Sequence, residues 1–131
     1  TIAALEATLR SYAEGRAIEE VPLWRMVATP EATLKRRATR WARAAGGRGG
    51  LARTETMVGG GSLPGEGLPS WGAAFAIGSP GEVAGRLREC ERPIIARISE
   101  GRVLLDPRTV DESDDRYVAS EIERISQAIQ R

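Results

Sequence analysis

The stretch T-E-T-M-V-G-G-G-S-L-P-G-E-G-L-P-S-W, residues 54–71, combines backbone freedom with fixed turn signals. Its three consecutive glycines, residues 59–61, can take positive φ and let a ligand approach where a Cβ would clash. Pro64-Gly65 is typical of a tight turn. The stretch also contains leucines and ends in a tryptophan, whereas an inert linker would be repetitive and polar. The pattern predicts a shaped loop between two strands.

Strand signals flank this loop and recur later in the chain. Residues 51–58 alternate in the manner of a strand with one polar face, and residues 71–77 (W-G-A-A-F-A-I) indicate a more buried strand that pairs with it. Residues 94–99 and 102–106, separated by a Glu-Gly turn, predict a second hairpin.

Helix signals occupy the rest of the sequence. A stripe of apolar residues opens the chain, and residues 17–28 are expected to form an irregular connector limited by Pro22. Residues 30–45 have start and stop signals of a second helix, and a capping box at residues 79–82 predicts a third. The last helix is expected after an acidic cluster. Its apolar stripe consists of Val118, Ile122, Ile125 and Ile129.

The order α-α-β-β-α-β-β-α predicts an α+β fold, with a four-stranded, mainly antiparallel sheet and helices on one face. A chain of 131 residues with 41% hydrophobic residues fits one domain with one modest core. We therefore treat residues 1–131 as a single domain, in which residues 1–28 form a helix and connector and residues 29–131 form the α/β core.

Composition excludes several classes of site. The chain has no histidine and one cysteine, Cys90, so it cannot build the usual zinc sites, Ser-His or Cys-His pairs, or an internal disulfide. Its net charge of +1 gives no overall attraction to nucleic acid or membranes. No apolar run approaches the length of a membrane span. A cytoplasmic location fits these features.

The second helix carries a local basic face. Residues 35–53 contain seven basic residues and no acidic one, and Arg36, Arg40 and Arg43 lie opposite the apolar stripe. These arginines are candidates for contacts with RNA phosphates, because a guanidinium matches phosphate geometry. The alternative is an ordinary solvated face.

Four blocks along the chain resemble the bacterial selenocysteine synthase family, L-seryl-tRNA(Sec) selenium transferase. They read TIAALEATLRSY, PLWRMVATP, VGGGSLPGEGLPS and PIIARISEGRVLLDPRTV. Their order and spacing agree with the family across nearly the whole chain. The departures are Met57, Gly67, Pro107 and a short glycine-rich connector over residues 44–50.

The resemblance implies the C-terminal small domain of a fold type I pyridoxal-phosphate transferase. The full-length enzyme would convert seryl-tRNA(Sec) to selenocysteinyl-tRNA(Sec) with selenophosphate, as a cytoplasmic homo-oligomer. The lysine that bonds pyridoxal phosphate would lie in a large domain preceding this chain, which residues 1–28 would link to the core. Lys35 is the single lysine here and is read as a solvated side chain. We therefore expect the fragment alone to be inactive and to bind no pyridoxal phosphate.

The family likeness also suggests where this chain meets substrate. Gly59, Gly60, Gly61 and Ser62 are candidates for the active-site wall, although a purely structural connector is the alternative. Arg97 and Arg108 are candidates for contact with an ester oxygen or an RNA phosphate, with Arg108 favoured, unless they form ion pairs with Asp106 or Glu100. Two other functions stay open, namely a non-catalytic tRNA-binding or assembly module and the small domain of a related pyridoxal-phosphate lyase.

Overall fold

The computed structural model describes residues 1–57 and 67–129, and within them the chain forms two compact units divided after Pro30. The first unit contains three helices. They are α1 (Ile2–Ala13), α2 (Ala17–Glu20) and α3 (Pro22–Ala28). The expected irregular connector is wrong, because residues 17–28 are almost entirely helical. Pro22 starts α3, where its missing N–H is not needed.

The first unit is held together by polar contacts between its helices. Ser11 Oγ donates a hydrogen bond of 2.6 Å to Glu20 Oε2, and Trp24 Nε1 donates to the hydroxyl of Tyr12. The hydrogen bond from Ser11 and a second one from Arg16 lower the pKa of Glu20 below its ordinary value. The apolar stripe of α1 remains exposed, and Ile2 is 84% accessible.

The second unit confirms the predicted α+β fold. Its helices are α4 (Glu31–Ala44), α5 (Pro80–Arg88) and α6 (Asp115–Ile129). Its strands are β1 (Gly49–Met57), β2 (Gly67–Phe75), β3 (Arg97–Ser99) and β4 (Arg102–Leu105). The sheet order is β1-β2-β4-β3, and every neighbouring pair is antiparallel.

All three helices of this unit pack on one face of the sheet. Ala73 and Phe75 of β2 pair with Leu105 and Val103 of β4, and these four side chains share the helix-covered face. The helices contribute the other large members of the same core, which are Trp41, Val83, Leu87, Val118, Ile122 and Ile125. The predicted stripes of α4 and α6 are therefore core-facing.

Strand β2 begins at Gly67, four residues before the predicted start at residue 71. Pro69 is the reason for the difference, since proline normally argues against a central strand. Here β2 pairs with β4 only at residues 73–75, so one side of the strand at Pro69 makes no strand pairing. A proline without an N–H is accommodated at that position.

Two local predictions, one about the start of a helix and one about a hairpin turn, had different outcomes. Ser79 is the N-cap of α5, but its side chain makes no capping hydrogen bond, so the predicted capping box is wrong in its detail. Glu82 instead forms an ion pair with Arg86 one turn later. The Glu100-Gly101 turn is confirmed, and both residues have positive φ, as tight two-residue hairpin turns require.

Candidate functional site

The sheet face opposite the helices carries a hydrogen-bonded cluster centred on Asp106, directly after β4. Asp106 Oδ1 accepts hydrogen bonds from Ser70 Oγ at 2.8 Å and from the backbone N–H of Arg108 at 2.9 Å. Asp106 Oδ2 accepts from Thr56 Oγ1. We call Thr56, Ser70, Asp106 and Arg108 the Asp106 cluster. It joins β1, β2 and the 3-10 turn at residues 107–109.

Arg108 is almost completely buried in this cluster, with 5% of its surface exposed. Its Nη2 donates a hydrogen bond of 2.7 Å to the carbonyl oxygen of Pro69. The contact lies in the part of β2 that makes no pairing with β4. In this conformation the guanidinium therefore holds the start of β2 against the end of β4.

Arg97, the other predicted arginine, is exposed on β3. Its register partner is Leu104, which lies on the face opposite the helices, and its guanidinium donates to Thr54 Oγ1 of β1. Strands β1 and β3 are the two outer strands of the sheet, so this contact shows that the long β1–β2 hairpin curves over that face. Glu100 pairs with Arg102 and not with Arg97.

A cavity of about 270 Å³ lies between the curved hairpin and β3. Arg97, Thr56 and Asp106 line it together with Leu104 and Thr109. The structure thus brings one accessible guanidinium, two threonine hydroxyls and the carboxylates of Glu55 and Asp106 to one concave surface. The Arg97 guanidinium is the group on this surface that can donate hydrogen bonds to an anionic or ester oxygen. The candidates Gly59, Gly60, Gly61 and Ser62 lie outside the described residues.

The basic face of α4 consists of the three arginines that the helical spacing indicates. Arg36, Arg40 and Arg43 are exposed, and within residues 1–57 and 67–129 neither Arg36 nor Arg43 forms an ion pair. Arg40 Nη1 lies 3.9 Å from Asp115 Oδ2. Arg37, another basic residue of the same helix, lies on the core side.

Arg37 and Asp115 form a buried ion pair that the sequence analysis missed. Arg37 Nε lies 3.0 and 2.9 Å from the two Asp115 oxygens, and Arg37 Nη2 also donates to the carbonyl of Val110. The signal was available, because Arg37 stands between Leu34 and Trp41 on the apolar stripe. Its partner is 78 positions away, at the first residue of α6.

Cys90 is a core residue whose thiol is unsuited to nucleophilic chemistry. Burial and the hydrogen bond to Glu121, at 3.0 Å, raise the pKa of the thiol above its ordinary value. The hydrogen bond from Arg124 lowers the pKa of Glu121. A protonated thiol is a poor nucleophile, so Cys90 contributes packing.

Comparison with known proteins identifies the family. A sequence model of L-seryl-tRNA selenium transferases matches residues 1–111. The L-seryl-tRNA(Sec) selenium transferase of Geotalea daltonii is 40% identical over 123 residues, which are 87% of this chain and 27% of the relative. That of Desulfotalea psychrophila is 37% identical over 123 residues, covering 87% of this chain and 26% of the relative. The chain belongs to the L-seryl-tRNA selenium transferase family.

A solved structure extends the likeness to the fold. A D-glucosaminate-6-phosphate ammonia-lyase superposes with a TM-score of 0.54, at 22% identity, over 79% of this chain and 28% of the lyase chain. At that identity the match supports the fold alone. The chain spans roughly a quarter to three tenths of the selenium transferases it matches, up to 29% for that of Geobacter metallireducens. Each matched region is therefore a minor part of a longer protein.

No helix among residues 1–57 and 67–129 is both long and apolar enough to cross a membrane.

Proposed function

We propose that this chain is the C-terminal small domain of a cytoplasmic, homo-oligomeric selenocysteine synthase. The full-length enzyme would convert L-seryl-tRNA(Sec) to selenocysteinyl-tRNA(Sec), with selenophosphate as selenium donor. Family membership supports the reaction class. The observation that supports a substrate-binding role for this domain is the exposed Arg97 guanidinium on the concave surface beside the Asp106 cluster.

Pyridoxal phosphate is the cofactor that the family resemblance implies, and it would supply the means to remove and replace the seryl hydroxyl. The residues described here do not fit as its attachment site. Lys35, the single lysine, places its ammonium 4.6 Å from the centroid of the Trp71 ring on the helix-covered side of the sheet. We assign the attachment lysine to the part of the relatives' length that this chain does not cover.

Within this domain, Arg97 is the residue that we expect to meet substrate. In seryl-tRNA the amino-acid carboxylate is esterified, so a small-domain guanidinium would bind an ester oxygen or a neighbouring phosphate. Arg97 is accessible for that contact, whereas Arg108 is buried against Pro69 and is better placed to position the start of β2. Residues 59–62 begin two positions after the last residue of β1, and we propose that they complete the same wall.

The experiment is steady-state kinetics of the full-length enzyme carrying Arg97→Ala, with Arg97→Lys beside it. Loss of a charge-assisted hydrogen bond predicts a fall in kcat/KM of about tenfold to a hundredfold for alanine and a smaller fall for lysine. Arg102→Ala is the matched control, because Arg102 is an arginine of the neighbouring strand that pairs with Glu100. Equal activity of the Arg97→Ala and Arg102→Ala enzymes would refute the assignment. Replacing Gly60 by valine tests the loop, and unchanged turnover there would refute its role.

Transfer RNA binding through α4 is a second proposed role. Arg36 and Arg43 are exposed cations on the side of α4 away from the core. Contacts of this type are made with the phosphate backbone and fix position without reading sequence. The Arg36→Ala/Arg43→Ala enzyme should bind tRNA more weakly, and the salt dependence of its binding constant should be less steep. If the salt dependence is unchanged, Arg36 and Arg43 do not contact tRNA, and they form an ordinary solvated face of α4.

A further inference from the structure

The Arg97 guanidinium donates a hydrogen bond to a neutral hydroxyl, although carboxylates lie on the same surface. Arg97 Nη2 donates to Thr54 Oγ1, while Glu55 and Asp106 line the cavity that Arg97 also lines. Asp106 follows Leu104, the register partner of Arg97, by two residues, and a long side chain can reach such a diagonal neighbour on the adjacent strand. In the described part of the chain, Arg97 nevertheless forms no ion pair. Its positive charge is therefore not cancelled by a neighbouring carboxylate.

The hydrogen bonds of Asp106 explain why it does not pair with Arg97. Its two oxygens accept from Ser70 Oγ at 2.8 Å, from the backbone N–H of Arg108 at 2.9 Å and from Thr56 Oγ1. Three donors from three segments hold the carboxylate in place and use most of its acceptor positions, which number about four. The carboxylate would have to break hydrogen bonds of its own in order to turn toward Arg97, and each such loss costs free energy.

Thr54 lies between the two hydroxyls that bind Asp106. Thr56 is two residues further along β1 and on the same face, and Ser70 is the register partner of Thr54 on β2. Both neighbours donate to Asp106, whereas Thr54 Oγ1 accepts from Arg97. Two hydroxyls therefore hold the carboxylate and a third holds the guanidinium, which keeps the two charges apart.

We propose that Thr54 is a positioning residue for Arg97, and this inference rests on the proposed role of Arg97 in binding substrate. The hydroxyls that occupy Asp106 assist Thr54, because they leave Arg97 without a competing carboxylate. An arginine side chain loses conformational freedom when a ligand fixes it. Thr54 orders the guanidinium before the substrate arrives, so less of that loss falls on binding. A guanidinium has five N–H donors, so the bond to Thr54 leaves others for the substrate.

The first test is steady-state kinetics of the full-length enzyme carrying Thr54→Val, which keeps the branched shape of the side chain and removes the hydroxyl. We expect kcat/KM to fall about threefold to tenfold, which corresponds to ordering one arginine on binding. Thr54→Ser retains the acceptor and should keep kcat/KM near that of the unmodified enzyme. Ser99→Ala is the matched control, because Ser99 is an exposed hydroxyl residue of β3 outside the cavity lining, and it should leave kcat/KM unchanged.

The enzyme that carries both Thr54→Val and Arg97→Ala separates positioning from a general effect on the fold. If Thr54 acts through Arg97, Thr54→Val should add nothing to the loss that Arg97→Ala causes, whereas an independent structural effect would multiply it. A further loss of about threefold or more in the double variant would overturn the proposal.

NMR of the 15N-labelled 131-residue chain tests the same contact without turnover. The Nε–H signal of Arg97, identified by its absence in Arg97→Lys, reports how ordered the side chain is. Thr54→Val should lower the heteronuclear NOE of this signal and speed its exchange with water at least about threefold, and Thr54→Ser should do neither. A signal that is equally ordered with and without the Thr54 hydroxyl would overturn the proposal.

Thr56→Val tests the part that Asp106 plays, because it removes the donor to one carboxylate oxygen. Arg97 should then turn to the released carboxylate, and kcat/KM should fall about as far as in Thr54→Val. Adding Asp106→Asn removes the competing charge but keeps an oxygen for Ser70, and it should recover most of the loss. No recovery would contradict the role of Asp106.

The kinetic and NMR results together distinguish this inference from the proposed function. If Arg97→Ala is impaired and Thr54→Val is not, the positioning role is wrong and the substrate role of Arg97 stands. If Arg97→Ala has full activity while Thr54→Val loosens the Arg97 signal, the substrate role is wrong and the positioning of Arg97 by Thr54 stands.

Discussion

Single charged residues decide how the parts of the core unit are joined. Asp106 gathers two hydroxyls and a backbone N–H from three segments, and Asp115 receives Arg37 from a helix 78 positions earlier. Neither contact could be read from local sequence, because partners far apart in the chain meet only once strand register and helix packing are fixed. A charge on an apolar stripe, as at Arg37, is nevertheless a sign that a buried partner exists.

Removing one member of the Arg37–Asp115 pair should strongly destabilise the core unit. Among the residues that the structure describes, Asp115→Ala leaves the buried Arg37 guanidinium with the Val110 carbonyl as its one hydrogen-bond acceptor, and such a loss costs about 3–5 kcal/mol. The double variant Arg37→Met/Asp115→Leu should recover most of that stability, because apolar residues of similar volume replace both charges. Urea denaturation measures both. Glu112→Ala, an exposed acid in the preceding turn, is the control, and a loss in Asp115→Ala no larger than in this control would contradict the prediction.

At the scale of elements, the periodicity of the sequence predicted which elements form better than it predicted where they begin and end. The stripes of α1, α4 and α6 and the turn at residues 100–101 follow from spacing and glycine chemistry, so these three helices and the second hairpin could be identified, whereas α2 and α3 could not. The start of β2 could not, since it depends on where β4 stops pairing beside Pro69. The Asp106 cluster likewise depends on packing of segments distant in sequence and has no local signal.

Two adjacent glycines at the start of β1 allow a direct test of how α4 packs on the sheet. A Cβ at Gly49 would lie 2.0 Å from the carbonyl oxygen of Ala42, which is backbone and cannot move aside, whereas a Cβ at Gly50 meets nothing within 4 Å. Gly49→Ala should therefore cost about 1–3 kcal/mol of unfolding free energy through overpacking. Gly50→Ala should be nearly neutral or slightly stabilising, because alanine reduces the freedom of the unfolded chain. Equal urea midpoints for the two variants would show that α4 does not approach β1 this closely.

On the scale of the whole molecule, large apolar side chains are left exposed mainly in the first unit. Ile2, Leu5 and Leu9 follow one another along one side of α1 and are all more than half exposed. Contiguous apolar patches on folded chains usually mark surfaces that bind a partner. In the full-length enzyme we propose the large domain as that partner. When the 131-residue chain is alone in solution, a second copy of it can provide the apolar surface that packs against this stripe.

The chain alone should therefore self-associate through α1. Leu5→Glu/Leu9→Glu places two charges in the apolar stripe and should shift the chain toward monomer in sedimentation velocity experiments across a wide concentration range, because burying an unpaired carboxylate is costly. Ala7→Glu is the matched control, since Ala7 is also exposed on α1 but lies on the side away from Leu5. It should associate as the unmodified chain does. If the unmodified chain is monomeric throughout, or if Leu5→Glu/Leu9→Glu associates equally, the exposed stripe is not the contact. Circular dichroism of each variant separates loss of association from loss of helix.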